Sequence, residues 1–303
     1  MLKENYILIH NIIDEVEKVI IGKRGKIELA MAAFLSQGHL LIDDMPGVGK
    51  TTLAKTLATV LGLDFGRIQF TSDLLPSDII GVNFYDVKTG AFTFKKGPIF
   101  NAVLLADEIN RATPKTQSAL LEAMAEQQVS VEGISHQLPQ PFFVIATKNP
   151  YEEAGVFKMP SSQLDRFICT ISLGYADKVS ERKILSGGKK DTTLHQHKYE
   201  EVHQLLKTAQ EIFVSDKILD LVQDIVAVSR QEGLFMYGLS TRAALALINL
   251  SKSYALIRGR DFVTPNDVTD ILEPVVLHRL EFKERDHSSS ATETILSLIC
   301  QEC

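Results

Sequence analysis

Cysteine is scarce in this chain. Three occur in 303 residues, and the opening MLKENYILIHN carries no export signal, so the expectation is a reducing compartment with no disulfide framework. Long apolar runs are missing as well. None approaches the roughly 20 residues that a membrane-spanning helix needs, which reads the chain as cytoplasmic. Positive charge is not in excess. Lys+Arg number 32 against 38 Asp+Glu, a formal net charge of −6, and residues 1–173 and 174–303 each hold 16 basic against 19 acidic side chains. With no basic half to meet a polyanion, nucleic acid is not the expected partner. Internal repeats and low-complexity tracts are also lacking. What remains is 45% hydrophobic and 23% charged, the composition of a globular protein long enough for two domains.

The first informative stretch is LLIDDMPGVGKTTLAKTLA, residues 40–58. His39-Leu40-Leu41-Ile42 suits a buried parallel strand. After Thr51, the residues Leu53, Ala54, Leu57, Ala58 and Leu61 form an apolar face of helical period. Between them Pro46, Gly47, Val48, Gly49, Lys50, Thr51 and Thr52 have the form of a phosphate-binding loop. Pro46 and Gly47 suit the turn, and Gly49 lets backbone approach phosphate. Free N–H groups and the helix dipole hold the anion. Lys50 adds charge at the β- and γ-phosphates, and the Thr51 hydroxyl can ligate Mg²⁺. One position departs from G-x-x-x-x-G-K-[ST]: Asp44 stands where the first glycine belongs. A carboxylate there is unfavourable beside an anion unless it points away.

A second half-site follows. Ala102-Val103-Leu104-Leu105-Ala106-Asp107-Glu108 is an apolar strand that ends in two acids. Asp107 suits a magnesium site, and Glu108 suits the orientation and deprotonation of water. Further apolar runs near 142–147 and 168–173, with one near 67–70, complete five strands, and helices alternate with them as in a doubly wound fold. Beyond residue 173 only helical patterns appear, around 178–186, 198–212, 215–232, 240–257 and 265–272, with a last helix opened by the capping box Ser290-Ala291-Thr292-Glu293. Segments 82–94 and 129–134 read as hairpins.

These motifs resemble the MoxR family of AAA+ ATPases. The resemblance is carried by IQFTSDLLPSDIIG (68–81), GPIF (97–100), ADEINRATPKTQSALLEAMAEQQVSVEG (106–133), PFFVIATKNP (141–150), SQLDRF (162–167) and RGRDFVTPNDV (258–268). It extends from about Val19 to about Arg279. It implies an α/β P-loop core with a five-stranded parallel sheet over 1–174, carrying both hairpins as insertions, and an all-helical lid over 175–303. It implies Mg²⁺-dependent ATP hydrolysis coupled to remodelling or maturation of a client protein. It also implies a homo-oligomeric ring, expected to be a hexamer, and a partner with a von Willebrand factor A domain. An acid at position 44 is a common variant in such relatives.

The resemblance extends to single residues. Asn149 matches the sensor-1 position, where an amide can contact water and phosphate together. Arg166 matches the arginine finger, offered to a neighbour's γ-phosphate; read alone, it equally suits an ion pair with Asp165. Arg242 matches sensor 2 and, in relatives with such insertions, can serve a neighbour's nucleotide. Arg111 could face the same interface. Ile21 and Gly22 match the segment that packs on adenine, though Gly22 also suits a helix terminator. Lys148 replaces a frequent glutamine. Two other readings stay open: a nucleotide-gated scaffold that hydrolyses poorly, for which Asp44 and Lys148 are the support, and a DNA-acting motor, which the acidity of both halves opposes. Cys300 and Cys303 form a C-x-x-C at the end of the sequence, with Cys300 expected on an apolar helix face. His195, His197 and His203 are expected in a solvated lid loop.

Overall fold

The structure is a computed structural model and describes residues 2–88, 90–151, 155–187, 193–284 and 290–302. Among the described residues nine strands lie among helices: β1 (Leu40–Asp43), β2 (Phe65–Gln69), β3 (Gly81–Asp86), β4 (Ala91–Lys96), β5 (Val103–Asp107), β6 (Gln128–Val131), β7 (Ile134–Gln137), β8 (Phe143–Lys148) and β9 (Cys169–Ile171). Five of them form one parallel sheet in the order β2-β5-β8-β1-β9. The inner strands β1, β5 and β8 are covered on both faces, which is why they read as apolar runs. Alternation shows in where the side chains go. Leu40, Ile42, Val103, Leu105, Phe143 and Ile145 enter one core cluster. Leu41, Leu104, Ala106, Val144 and Ala146 enter the other.

The first cluster is shared between the sheet, two N-terminal helices (Leu2–Glu17 and Arg24–Leu35) and the C-terminal helices. Polar links cross the same boundary: Asn5 Nδ2 donates to Thr208 Oγ1 at 3.0 Å, and the hydroxyls of Ser36 and Ser253 lie 2.8 Å apart. The second cluster is closed by the helix Pro114–Glu126. All elements after β9 are helical among the described residues. The helix expected over 265–272 continues to Val276 with Pro274 inside it. Burial of Val275 and Val276 outweighs the hydrogen bond that proline removes. The expected loop histidine His197 is buried rather than solvated, and its N–H donates to the Val60 carbonyl.

Both hairpins form. β3 pairs with β4, and β6 pairs with β7 around Glu132 and Gly133, whose φ values of 50° and 81° suit a two-residue hairpin turn. They touch each other through Asn83–Glu132 and a stack of Phe94 on His136. Cys303 and the Cys300 side chain lie outside the described residues. Among the described residues no helix is long and apolar enough to cross a membrane.

Candidate active site

Open parallel sheets bind ligands beyond the carboxyl ends of their strands, and three strand ends converge here. β1 runs into the loop 44–49 and the helix Lys50–Val60. Gly47 and Gly49 have φ of 84° and 98°, in the left-handed region that glycine enters without strain. Gly49 is the N-cap of the helix and supplies no side-chain cap, so the first-turn amides are free for an anion. Lys50 is 9% exposed, and its Nζ donates to the Asp44 carbonyl at 2.6 Å.

Asp44 resolves its own anomaly. Its carboxylate meets the backbone just after β9, and the residue is 4% exposed. Oδ2 accepts from the Leu173 N–H at 2.5 Å, the Gly174 N–H at 2.7 Å and the Ser172 hydroxyl at 3.1 Å, while Oδ1 accepts from the Met45 N–H at 2.8 Å. Lys148 is likewise occupied: its Nζ pairs with Asp43 at 2.6 Å, its neighbour in the β1–β8 register.

The acids at the end of β5 are held from both flanking strands. Thr147 Oγ1 on β8 donates to Asp107 Oδ1 at 2.7 Å, and Arg67 on β2 pairs with Asp107 Oδ2 at 2.8 Å. Glu108 has φ 56°, a conformation a non-glycine residue adopts only when its surroundings enforce it. Its N–H donates to Thr147 Oγ1 at 2.9 Å. Its carboxylate accepts from Gln69 Nε2 at 2.8 Å and pairs with Arg111 Nε at 3.1 Å. Arg111 therefore meets the chain's own glutamate. Asn149 follows β8, with its Oδ1 accepting from the Tyr151 N–H at 3.2 Å.

Pro46, Gly47, Gly49, Lys50, Thr51 and Thr52 from the loop, and Asp107, Glu108 and Asn149 from the strand ends, line one cavity of about 350 Å³. Arg67 and Gln69 line it too, and the sequence reading missed both. Their signal was available in the polar positions of β2, which alternate with buried Gly66 and Ile68. Val48 packs against the core instead. Ile21 and Gly22 lie outside the cavity lining; a Cβ on Gly22 would fall 2.1 Å from Ser180 Oγ, at the start of the helix Lys178–Leu185.

Arg166 and Arg242 are not in the cavity. Arg166 donates to the Leu121 carbonyl, and its Nε is buried without a partner. Arg242 lies 4.0 Å from Asp165, whose carboxylate also accepts from Ser240 Oγ and from Arg279 Nε, each at 2.7 Å. Arg279 is a buried hub that the sequence reading did not single out. It donates to the carbonyls of Val275, Phe167 and Ile168 as well.

Thr51 and Asp107 offer the cavity a hydroxyl and a carboxylate. No cluster of three or more His, Cys, Asp or Glu that could hold a metal occurs among the described residues. This donor set fits Mg²⁺, which takes one or two carboxylates together with substrate phosphates rather than a protein cage.

Comparison with known proteins agrees with this geometry. The profile of the ATPase family associated with various cellular activities (AAA) matches residues 39–169, and that of the AAA lid domain matches 228–298. Chaperone MoxR1 of Mycobacterium tuberculosis is 42% identical over 284 residues, covering 88% of this chain and 74% of that protein. The chain belongs to the MoxR family of AAA+ ATPases. The uncharacterized protein YeaC of Bacillus subtilis is 41% identical over 277 residues, 90% of this chain and 87% of that one. A crystal structure of a candidate ATPase from Cytophaga hutchinsonii, 34% identical, superposes with a TM-score of 0.90 over 99% of this chain and 95% of its own. The sheet and helical lid described above are thus those of a MoxR-family AAA+ protein.

Proposed function

We propose that this MoxR-family protein hydrolyses Mg²⁺-bound ATP and uses the cycle to remodel a client protein. The observation that carries the reading is convergence. Lys50, Thr51, Asp107, Glu108 and Asn149 come from three strand ends, yet line one cavity. Loop amides and Lys50 bind the phosphates, and Thr51 and Asp107 hold the metal. Glu108 accepts a proton from the attacking water while the Asn149 amide orients it. Bound magnesium would offset charge on the phosphates. The water attacks in line with the bond to the leaving diphosphate.

Arg166, with Arg242 beside Asp165, is offered to the nucleotide of a neighbouring subunit. Such a head-to-tail contact closes into a ring, for which a hexamer is proposed. Core and lid meet at Gly174 and Tyr175. Ile21 and Gly22, next to that junction, are assigned to adenine. The name of the relative MoxR1 supports a chaperone-like role, and a protein with a von Willebrand factor A domain is the proposed client or partner, in the cytoplasm. The scaffold reading rested on Asp44 and Lys148. Asp44 meets the backbone after β9 and Lys148 pairs with Asp43, so both residues have structural roles, and a rate measurement decides between the two readings.

The deciding experiment compares wild type with Glu108→Gln. Loss of a general base is expected to slow turnover by about 10²–10⁴-fold, with Mg²⁺-ATP uptake by calorimetry preserved. Equal rates in the two proteins would restore the scaffold reading.

A further inference from the structure

We propose that Asp44 is a positioning residue that couples the nucleotide loop to the lid; the inference rests on the ATPase reading above. Four donors meet its buried carboxylate, and three of them belong to consecutive residues, Ser172, Leu173 and Gly174. These residues are where the last strand ends and the chain turns toward the lid. The same residue is gripped from the other side. Its carbonyl accepts the Lys50 ammonium at 2.6 Å, and Lys50 is the cation that phosphate binding engages. A continuous path of polar contacts therefore runs from the phosphate-binding cation, through one aspartate, to the amides at the junction.

Neighbouring contacts reinforce the path. Met45 Sδ accepts from the Tyr175 hydroxyl at 3.6 Å, and Lys23 Nζ donates to the Tyr175 carbonyl at 2.5 Å. Two residues further on, Asp177 caps the helix Lys178–Leu185. Gly174 has φ 62°, a conformation that permits a sharp change of direction without strain. Hydrogen bonds to a charged acceptor are about twice as strong as neutral ones, and a buried carboxylate that loses its donors is expensive. Movement of Lys50 toward phosphate therefore acts on the residue that fixes the junction. A glycine at this position, as the generic loop pattern has it, supplies no carboxylate and makes no such tie.

The usual reading of the loop and this one predict opposite behaviour for Asp44→Gly. If residue 44 only shapes the loop, the generic glycine is neutral or improves nucleotide binding, because it removes a negative charge near the anion. If Asp44 couples loop to lid, Asp44→Gly keeps its affinity for Mg²⁺-ADP but loses the response of the lid. Three measurements separate them. In the ligand-free variant the amides of Leu173 and Gly174 exchange with deuterium about tenfold faster or more, as expected for lost charge-assisted bonds. Protection of residues 175–186 on adding Mg²⁺-ADP, the response expected of wild type, is absent from the variant. Turnover falls by about tenfold with KM little changed, the pattern of a lost interaction that matters beyond ground-state binding.

Asp44→Asn, isosteric but with only one acceptor oxygen, repeats the test should the glycine variant fold poorly. It is expected to fall between wild type and Asp44→Gly in all three readouts. Wild-type exchange and lid response in both variants would overturn the coupling. So would a large loss of nucleotide affinity at unchanged kcat, which would make Asp44 a binding residue instead. Failure of wild type itself to take up Mg²⁺-ADP overturns the ATPase reading, and is recognised before any variant is compared.

Discussion

Arg67 and Asp107 form an ion pair of 2.8 Å inside the phosphate-loop cavity, across the boundary between β2 and β5. The two groups are unequal. The Asp107 side chain is 11% exposed and the Arg67 side chain 48%, so a largely buried carboxylate is neutralised by a cation that can swing into solvent. Both residues line the cavity in which the metal is proposed to bind. Magnesium and the guanidinium therefore compete for one carboxylate. Arg67→Gln is expected to lower by several-fold the Mg²⁺ concentration that half-saturates the thermal shift in excess ADP. Without ligands the melting temperature should drop only slightly, since an ion pair with one exposed partner contributes about 0–1 kcal/mol. A higher magnesium requirement in the variant would show that Arg67 assists the ligand rather than competing with it.

The arginine pair around Asp165 gives a second prediction. Arg166 and Arg242 lie away from the chain's own cavity, tied to Leu121 and Asp165. A guanidinium that acts across a subunit boundary leaves its own subunit's binding intact. Arg166→Ala is expected to bind Mg²⁺-ATP with near wild-type affinity while turnover falls by about 10³-fold, the scale of an arginine finger. Lys50→Ala should instead lose binding. Mixed, the two inactive proteins should regain measurable activity, because some interfaces combine an intact Lys50 site with an intact Arg166. No recovery in mixtures, with co-assembly shown by sedimentation, would exclude a shared site.

Much of this arrangement was legible in the residues. The apolar runs that became β1, β5 and β8 are buried on both faces, so their signal was length and continuity, and the acids that end β5 could be assigned from position alone. The helix Arg24–Leu35 was not read as such. Ile27, Ala30, Met31, Ala32, Ala33, Phe34 and Leu35 are all buried, and a helix covered on most sides shows no helical period. Contacts between distant segments were out of reach for a different reason. Asp44 could be flagged as an exception to a motif, but its donors lie at 172–174. Nothing local specifies which backbone amides a carboxylate will meet. Arg279 was missed on the same ground, because the Asp165 carboxylate and the Phe167 and Ile168 carbonyls that it meets lie far from it along the chain.

Acid stability depends on a histidine at the opposite end of the sheet, where the strands begin. His39 precedes β1 and is 6% exposed. Its Nε2 lies 3.3 Å from the Met124 carbonyl, and the Val144 N–H donates to its Nδ1 at 3.1 Å. That pattern requires the neutral ring with the proton on Nε2. A second proton on Nδ1 would set two donors against each other in a dry site. Burial pushes the His39 pKa down to about 4 from the ordinary 6.5. The unfolded chain therefore binds the additional proton first as the pH falls, and the folded state loses ground from pH 6.5 down to about 4. Over that window the loss amounts to about 3 kcal/mol. His278, buried against the Phe167 carbonyl, is shifted in the same direction by its own burial and adds to the slope. Urea unfolding at pH 7.5 and pH 5.0 is expected to show wild type clearly weaker at the lower pH. His39→Gln should be less stable at pH 7.5, by about 1–3 kcal/mol for a buried polar replacement, yet should lose less on acidification. The residual slope then belongs to His278 and to His197, whose pKa burial also lowers. Equal acid losses in both proteins would mean that His39 is already solvated in the native state, and the packing described at this end of β1 would be wrong.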